Sequence, residues 1–140
     1  MHPAEARQAR LRELVRYRAD LIGRRTALRN QQQAAEVQRA ELILPFLAAY
    51  REHVADQVRT VEAVILATLA TIPEAAVLDA IPEVGWKTVA VVLAELPTAL
   101  WGNAKAAAAY AGVHPMQSQS GTRETSRMSK RGNAHLRHAL

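Results

Sequence analysis

Residues 4–40 read AEARQARLRELVRYRADLIGRRTALRNQQQAAEVQRA. The stretch holds no proline and no turn cluster, only Gly23 as a weak break, and it consists largely of Ala, Arg, Gln, Glu and Leu, all good helix formers. It predicts one long helix over 4–40, and that helix decides the fold class. Leu14, Leu21, Leu28, Ala35 and Leu42 recur every seven residues, with Val15 and Ile22 beside the first two. Leu11, Arg18, Arg25, Gln32 and Arg39 fill the other seam position. A heptad with one apolar and one largely basic seam is a poor free-standing zipper. It suits an arm packed on one side by another helix, with arginines left free. A membrane-surface helix would carry a wider apolar stripe and large aromatics.

Leu44-Pro45 interrupts the first helix. Beyond it Leu47, Tyr50, Val54, Val58, Val61, Ile65 and Leu69 keep steps of three and four, an apolar stripe over about six turns. This second helix is expected to fold back on the first as an antiparallel hairpin, or to pair with the same helix of another copy. Thr71-Ile72-Pro73-Glu74 closes it, with Pro73 placed to start a short helix through Asp79. Ile81-Pro82-Glu83-Val84-Gly85 reads as a tight turn and Trp86–Leu96 as a helix with Val89, Val92, Leu93 and Leu96 on its inner face. Asn103 is placed to cap a helix to Ala111, with Gly112 as its stop. Residues 116–132 are rich in Ser, Gln, Thr, Gly and Arg and read as a loop, and Asn133 is placed to cap a last helix. No alternating strand pattern occurs, so the expected fold is all-α: a long antiparallel helical hairpin, coiled-coil-like, over 1–72, then a small helix-hairpin-helix-like domain over 73–140.

The 140 residues suffice for one modest domain with an extension. There is no cysteine, which excludes disulfides, thiolate zinc sites and a cysteine nucleophile. The first residues lack the apolar core of a signal peptide, and no segment runs long enough without charge to span a bilayer. A soluble, cytoplasmic protein with no membrane partner is expected. The net charge of +5 is unevenly spread: residues 1–39 hold nine arginines against four acids, residues 40–122 four basic residues against eight acids, and residues 123–140 five against one. Two basic ends flank an acidic middle, as in a protein that touches polyanions at two places, although solvated helix faces would give the same balance.

Two stretches carry candidate chemistry. In Leu78–Leu96 an Ile-Pro-x-Val-Gly turn precedes a helix that opens Trp86-Lys87-Thr88. Gly85 would let a backbone phosphate approach, the first-turn amides and dipole of the next helix favour an anion, and Lys87 adds a charge-assisted contact. An ordinary proline-glycine turn between packed helices is the competing explanation. In the second, Tyr110-Ala111-Gly112-Val113-His114-Pro115 leads to Ser118-Gln119-Ser120-Gly121-Thr122 and then Arg123, Arg127, Lys130 and Arg131. A serine beside a flexible glycine among guanidinium groups suits attack on a phosphodiester, the cations holding the non-bridging oxygens. Serine-rich basic loops without chemistry are common, and no base for Ser120 is evident among His114, His135 and His138. His135 and His138 share a helical face but lack a third metal ligand. Asp20, Asp56 and Asp79 stand in separate helices, so no two-metal carboxylate site is read. Trp86, Trp101 and Tyr110 read as packed side chains.

In order and spacing, IPEVGWKT, LAEL, AAYAGVHP, QSGT and SKRGNAHLR resemble the carboxy-terminal domain of the DEDD-type, or "one-ten", insertion-sequence transposases. The arginine-rich stretch through Leu11–Leu14 and Arg24–Asn30 is similar to the segment that follows that family's catalytic domain. The resemblance implies a DNA recombinase guided by a structured, element-encoded RNA, cutting and rejoining strands with a RuvC-like carboxylate domain that binds divalent metal. It implies that Ser120, before Gly121, is the nucleophile. Two departures stand out: Glu83 occupies a place where the family's hairpin usually has glycine, and the four-acid domain is not within these residues.

The chain is therefore expected to be the DNA-binding portion of a transposase, a fragment inactive alone and without a cofactor of its own. Ser120 is its candidate nucleophile, and Gly85, Lys87, Thr88, Gly121, Arg123, Arg127, Lys130 and Arg131 are its candidate nucleic-acid contacts. DNA, a guide RNA and a second copy bound through the arm are the expected partners. The alternative is a helical dimerisation module with no nucleic-acid role.

Overall fold

The computed structural model describes residues 2–81 and 84–112. They form five α-helices: α1 (Pro3–Val37), α2 (Leu44–Leu69), α3 (Glu74–Asp79), α4 (Trp86–Glu95) and α5 (Ala104–Gly112), with a 3₁₀ turn at Thr98–Leu100 between the last two. No strand occurs among the described residues, so the fold is all-α. The residues group into two compact units, one of residues 17–64 and one of residues 1–16 with 65–140.

The unit of residues 17–64 is an antiparallel helical hairpin. Leu21, Leu28 and Ala35 of α1 and Val54, Val58 and Val61 of α2 are buried, as the seven-residue and three-four spacings require. Two side-chain bonds fix the register. Arg18 Nε donates to Glu62 Oε2 at 2.8 Å, and Arg51 Nη1 donates to Gln32 Oε1 at 3.1 Å. Arg18 and Gln32 of the basic seam are therefore engaged across the hairpin, so the expectation that this seam leaves its arginines free fails at Arg18.

The first helix ends at Val37, three residues short of the expected boundary. Arg39 takes the left-handed conformation with φ of 57°. Its N–H donates to the Glu36 carbonyl at 3.2 Å, and the Ala40 N–H donates to the Ala35 carbonyl at 2.9 Å. Those two bonds close a helix end that ordinarily uses glycine at the left-handed position. With arginine there the stop has no sequence signature. Leu42, expected on the heptad seam, consequently lies in the turn and is 88% exposed. Pro45 falls in the first turn of α2, where its missing N–H costs no helical bond.

In the other unit the core is built from Leu11 and Val15 of α1, Ile65 and Leu69 of α2, Ile72, Leu78, most of α4, Leu96, Trp101 and Ala107. Pro73 precedes α3, as expected. α4 is buried on every side from Thr88 to Ala94, wider burial than the single inner face expected, because helices α3 and α5 and residues 1–16 all belong to the unit around it. Trp101 is 1% exposed and its indole N–H donates to the Leu96 carbonyl at 3.1 Å. Asn103 Oδ1 accepts from the Ala106 N–H at 3.0 Å, the N-cap expected at that position. Among the described residues no helix is long and apolar enough to cross a membrane.

Candidate nucleic-acid interface

The candidate phosphate turn depends on how α4 is held, and α4 is anchored at its far end. The last carbonyls of a helix have no partner within it. Here Gln8 Nε2 donates to Leu93 O at 3.1 Å and to Leu96 O at 2.6 Å, while Arg12 Nε donates to Ala94 O at 3.1 Å. Glu95, whose side chain is 4% exposed, is paired with Arg16 at 3.3 Å and lies 3.9 Å from Arg12. A carboxylate in the last turn opposes the helix dipole, and two guanidinium groups offset that. Gln8, Arg12 and Arg16 stand four residues apart and so share one face of α1. The amino-terminal arginines thus include two that brace α4.

With that end fixed, the opposite end of α4 exposes Gly85 and Lys87, with Thr88 buried beside them. Gly85 is the N-cap, with φ of −83° and ψ of 167°, and the Val89 N–H donates to its carbonyl at 3.0 Å. A methyl group built on Gly85 meets nothing within 4 Å. Neither backbone strain nor packing within the chain demands glycine here; the surface in front of it is open. The Lys87 ammonium lies 5.7 Å from the centroid of the Trp86 ring, a cation–π contact that holds it beside the helix start. Thr88 is 2% exposed, so its side chain serves the core and only its backbone faces the first turn. The Val84 N–H donates to the Ile81 carbonyl at 3.3 Å across the turn. Pro82 and Glu83 lie outside the described residues. Asp79 and Trp86 line a common cavity of about 340 Å³ whose other walls are mainly apolar.

Ser120, Gly121, Arg123, Arg127, Lys130 and Arg131 lie outside the described residues, as do His114, His135 and His138. Among the described residues no three His, Asp or Glu side chains gather as metal ligands. The metal that the family resemblance implies therefore finds no donor set among the described residues. Sequence reasoning did not single out the bracing set Gln8, Arg12 and Arg16. Their spacing of four was visible, but their partners lie about eighty residues away.

No curated protein and no solved structure matches the chain. Residues 75–140 match the family model described as "Transposase IS116/IS110/IS902 family". That span begins in α3 and takes in the turn, all of α4 and α5, and every candidate contact named above. This match is consistent with a carboxy-terminal part of a transposase of the IS116/IS110/IS902 family and supports a role related to transposition.

Proposed function

We propose that this chain is the portion of a transposase that grips nucleic acid, while strand cutting depends on a metal-binding carboxylate domain outside these residues. The observation that carries this reading is the family match over 75–140. In functional terms the arm covers 1–72 and the transposase domain 73–140, although the compact unit that includes the latter also takes in residues 1–16 and 65–72. The Ile81–Thr88 segment acts as a helix-hairpin-helix-like turn, with Gly85 admitting a backbone phosphate and Lys87 contacting it. Gly121, Arg123, Arg127, Lys130 and Arg131 hold further phosphates around Ser120, the candidate nucleophile. DNA is the main partner, an element-encoded guide RNA a second, and the cytoplasm the site of action.

Binding of this kind weakens steeply with salt, by a slope that counts the phosphates contacted. Fluorescence anisotropy with duplex DNA and with structured RNA, at 50 to 200 mM salt, tests it. Replacing Arg123, Arg127, Lys130 and Arg131 by alanine is expected to flatten the slope by about three to four. Absence of binding at low salt, or an unchanged slope, overturns the reading. No covalent DNA adduct is expected from this chain alone; an adduct lost in Ser120→Ala would show that it cuts unaided.

A second reading, a dimerisation module with no nucleic-acid role, has one observation in its favour. Leu42, Phe46 and Tyr50 near the hairpin turn are 88%, 76% and 52% exposed, an apolar set that a second copy would cover. Sedimentation separates the two: a dimer indifferent to nucleic acid and lost in Leu42→Glu/Phe46→Glu supports this second reading.

A further inference from the structure

The hairpin unit has a polar groove of about 570 Å³, lined by Arg25, Arg29 and Gln32 of α1 and Ala48, Arg51, Glu52 and Ala55 of α2. We infer that this groove is a second phosphate-binding site, which takes the phosphodiester backbone of a nucleic acid; it rests on the nucleic-acid reading above but uses none of the residues assigned there.

The arginines that face or flank the groove differ from their neighbours in their partners. Arg18 is bonded to Glu62, Arg24 is 3.6 Å from Asp20, and Arg59 is paired with Asp56 and Glu52. Among the described residues Arg25, Arg29 and Arg51 have no carboxylate within 4.0 Å, yet all three converge on one groove. Glu52, the groove's one acid, is directed to Arg59 at 3.7 Å. Three guanidinium groups against one already paired carboxylate repel one another, and an incoming polyanion relieves that repulsion.

The groove's geometry suits a strand of phosphates. Arg25 and Arg29 are one turn apart on α1, about 6 Å along its axis, comparable to the separation of neighbouring phosphates on one strand. Arg51 reaches in from the other helix, and its Nη1 is held by Gln32 Oε1 at 3.1 Å, so its planar fork is oriented in advance. Ala48 and Ala55 leave the α2 wall low where larger side chains would fill the groove. A small free anion would need only one such fork; a run of cations along two helices fits a chain of charges.

The test uses the full 140-residue chain with duplex DNA, duplex RNA and single-stranded RNA of equal length. Arg25→Gln/Arg29→Gln/Arg51→Gln is compared with a control in the same unit, Arg24→Gln/Arg39→Gln, with helical content checked by circular dichroism. The groove variant is expected to flatten the salt slope by about two to three on the nucleic acid that uses the site. The control should change it by less than about one. Replacing the three groove arginines by lysine should retain the slope while lowering affinity, because the charge stays and the fork is lost. Weakening on one of the three ligands alone identifies the source of the phosphates; weakening on all three identifies a general backbone site. If the unaltered chain binds but the groove variant matches it, or control and groove variants lose equally, this inference alone falls. If the unaltered chain binds none of the three, the nucleic-acid reading falls with it.

Discussion

The side-chain amide of Gln8 donates to the Leu96 carbonyl at 2.6 Å, joining the second turn of α1 to the end of α4 across 88 positions of sequence. The same nitrogen also serves Leu93, so both amide hydrogens are used and Gln8 is buried at 8% exposure. Removal of the donor strands the Leu93 carbonyl in a buried site, while Leu96 retains its bond from Trp101. Gln8→Leu should therefore lower unfolding stability by about 1–3 kcal/mol, the cost of an unsatisfied buried polar group. Denaturant unfolding followed by circular dichroism checks this; a change under about 0.5 kcal/mol would show that the brace is not needed.

Gly85→Ala separates folding from binding. The backbone angles at Gly85 suit alanine, and the added methyl meets nothing within 4 Å. Stability should hold or rise slightly, since alanine has less chain entropy to lose. If a phosphate seats against this turn, affinity for duplex DNA should nonetheless fall several-fold. Unaltered affinity together with unaltered stability would remove the turn from the contact surface.

What could be read from the chain followed the range of the interactions involved. The Asn103 cap, the Pro73 start of α3 and the part of the α2 stripe from Val54 to Leu69 follow from local spacing, and each lies where that chemistry puts it. Long-range polar pairs carry no such signal. Gln8 and Arg12 look like solvated helix residues until the end of α4 is set beside them. Thr88 opens a helix in the sequence, and its 2% exposure follows from the packing around α4 rather than from any local pattern. The groove arginines behaved likewise: Arg25 and Arg29 are one turn apart in the sequence, whereas Arg51 joins them only through the hairpin register.

That register is itself open to test. Arg18 and Glu62 are bonded at 2.8 Å with side chains 20% and 22% exposed, more sheltered than the paired residues of the hairpin surface such as Arg24 and Asp20. A double-mutant cycle of Arg18→Ala and Glu62→Ala should give a coupling of about 1 kcal/mol, at the upper end for surface pairs, because partial burial reduces screening. The same cycle on Arg24 and Asp20 should give about 0.3–0.5 kcal/mol. Equal couplings would mean that the cross-helix pair does not set the register.

The hairpin turn offers a prediction in the opposite direction, towards gain. Arg39 holds the left-handed conformation that costs a side chain about 1–2 kcal/mol. Glycine adopts it freely but loses more entropy on folding, about 0.5–1 kcal/mol. The balance predicts that Arg39→Gly is neutral to stabilising by about 1 kcal/mol. Arg39→Val should be clearly destabilising, since a β-branched residue tolerates positive φ worst. Because Arg39 lies outside the groove of Arg25, Arg29 and Arg51, Arg39→Gly should raise the denaturation midpoint while leaving the salt slope of nucleic-acid binding within about one of its original value. A drop in stability on Arg39→Gly would show that residues 38–43 do not hold the turn through the left-handed stop.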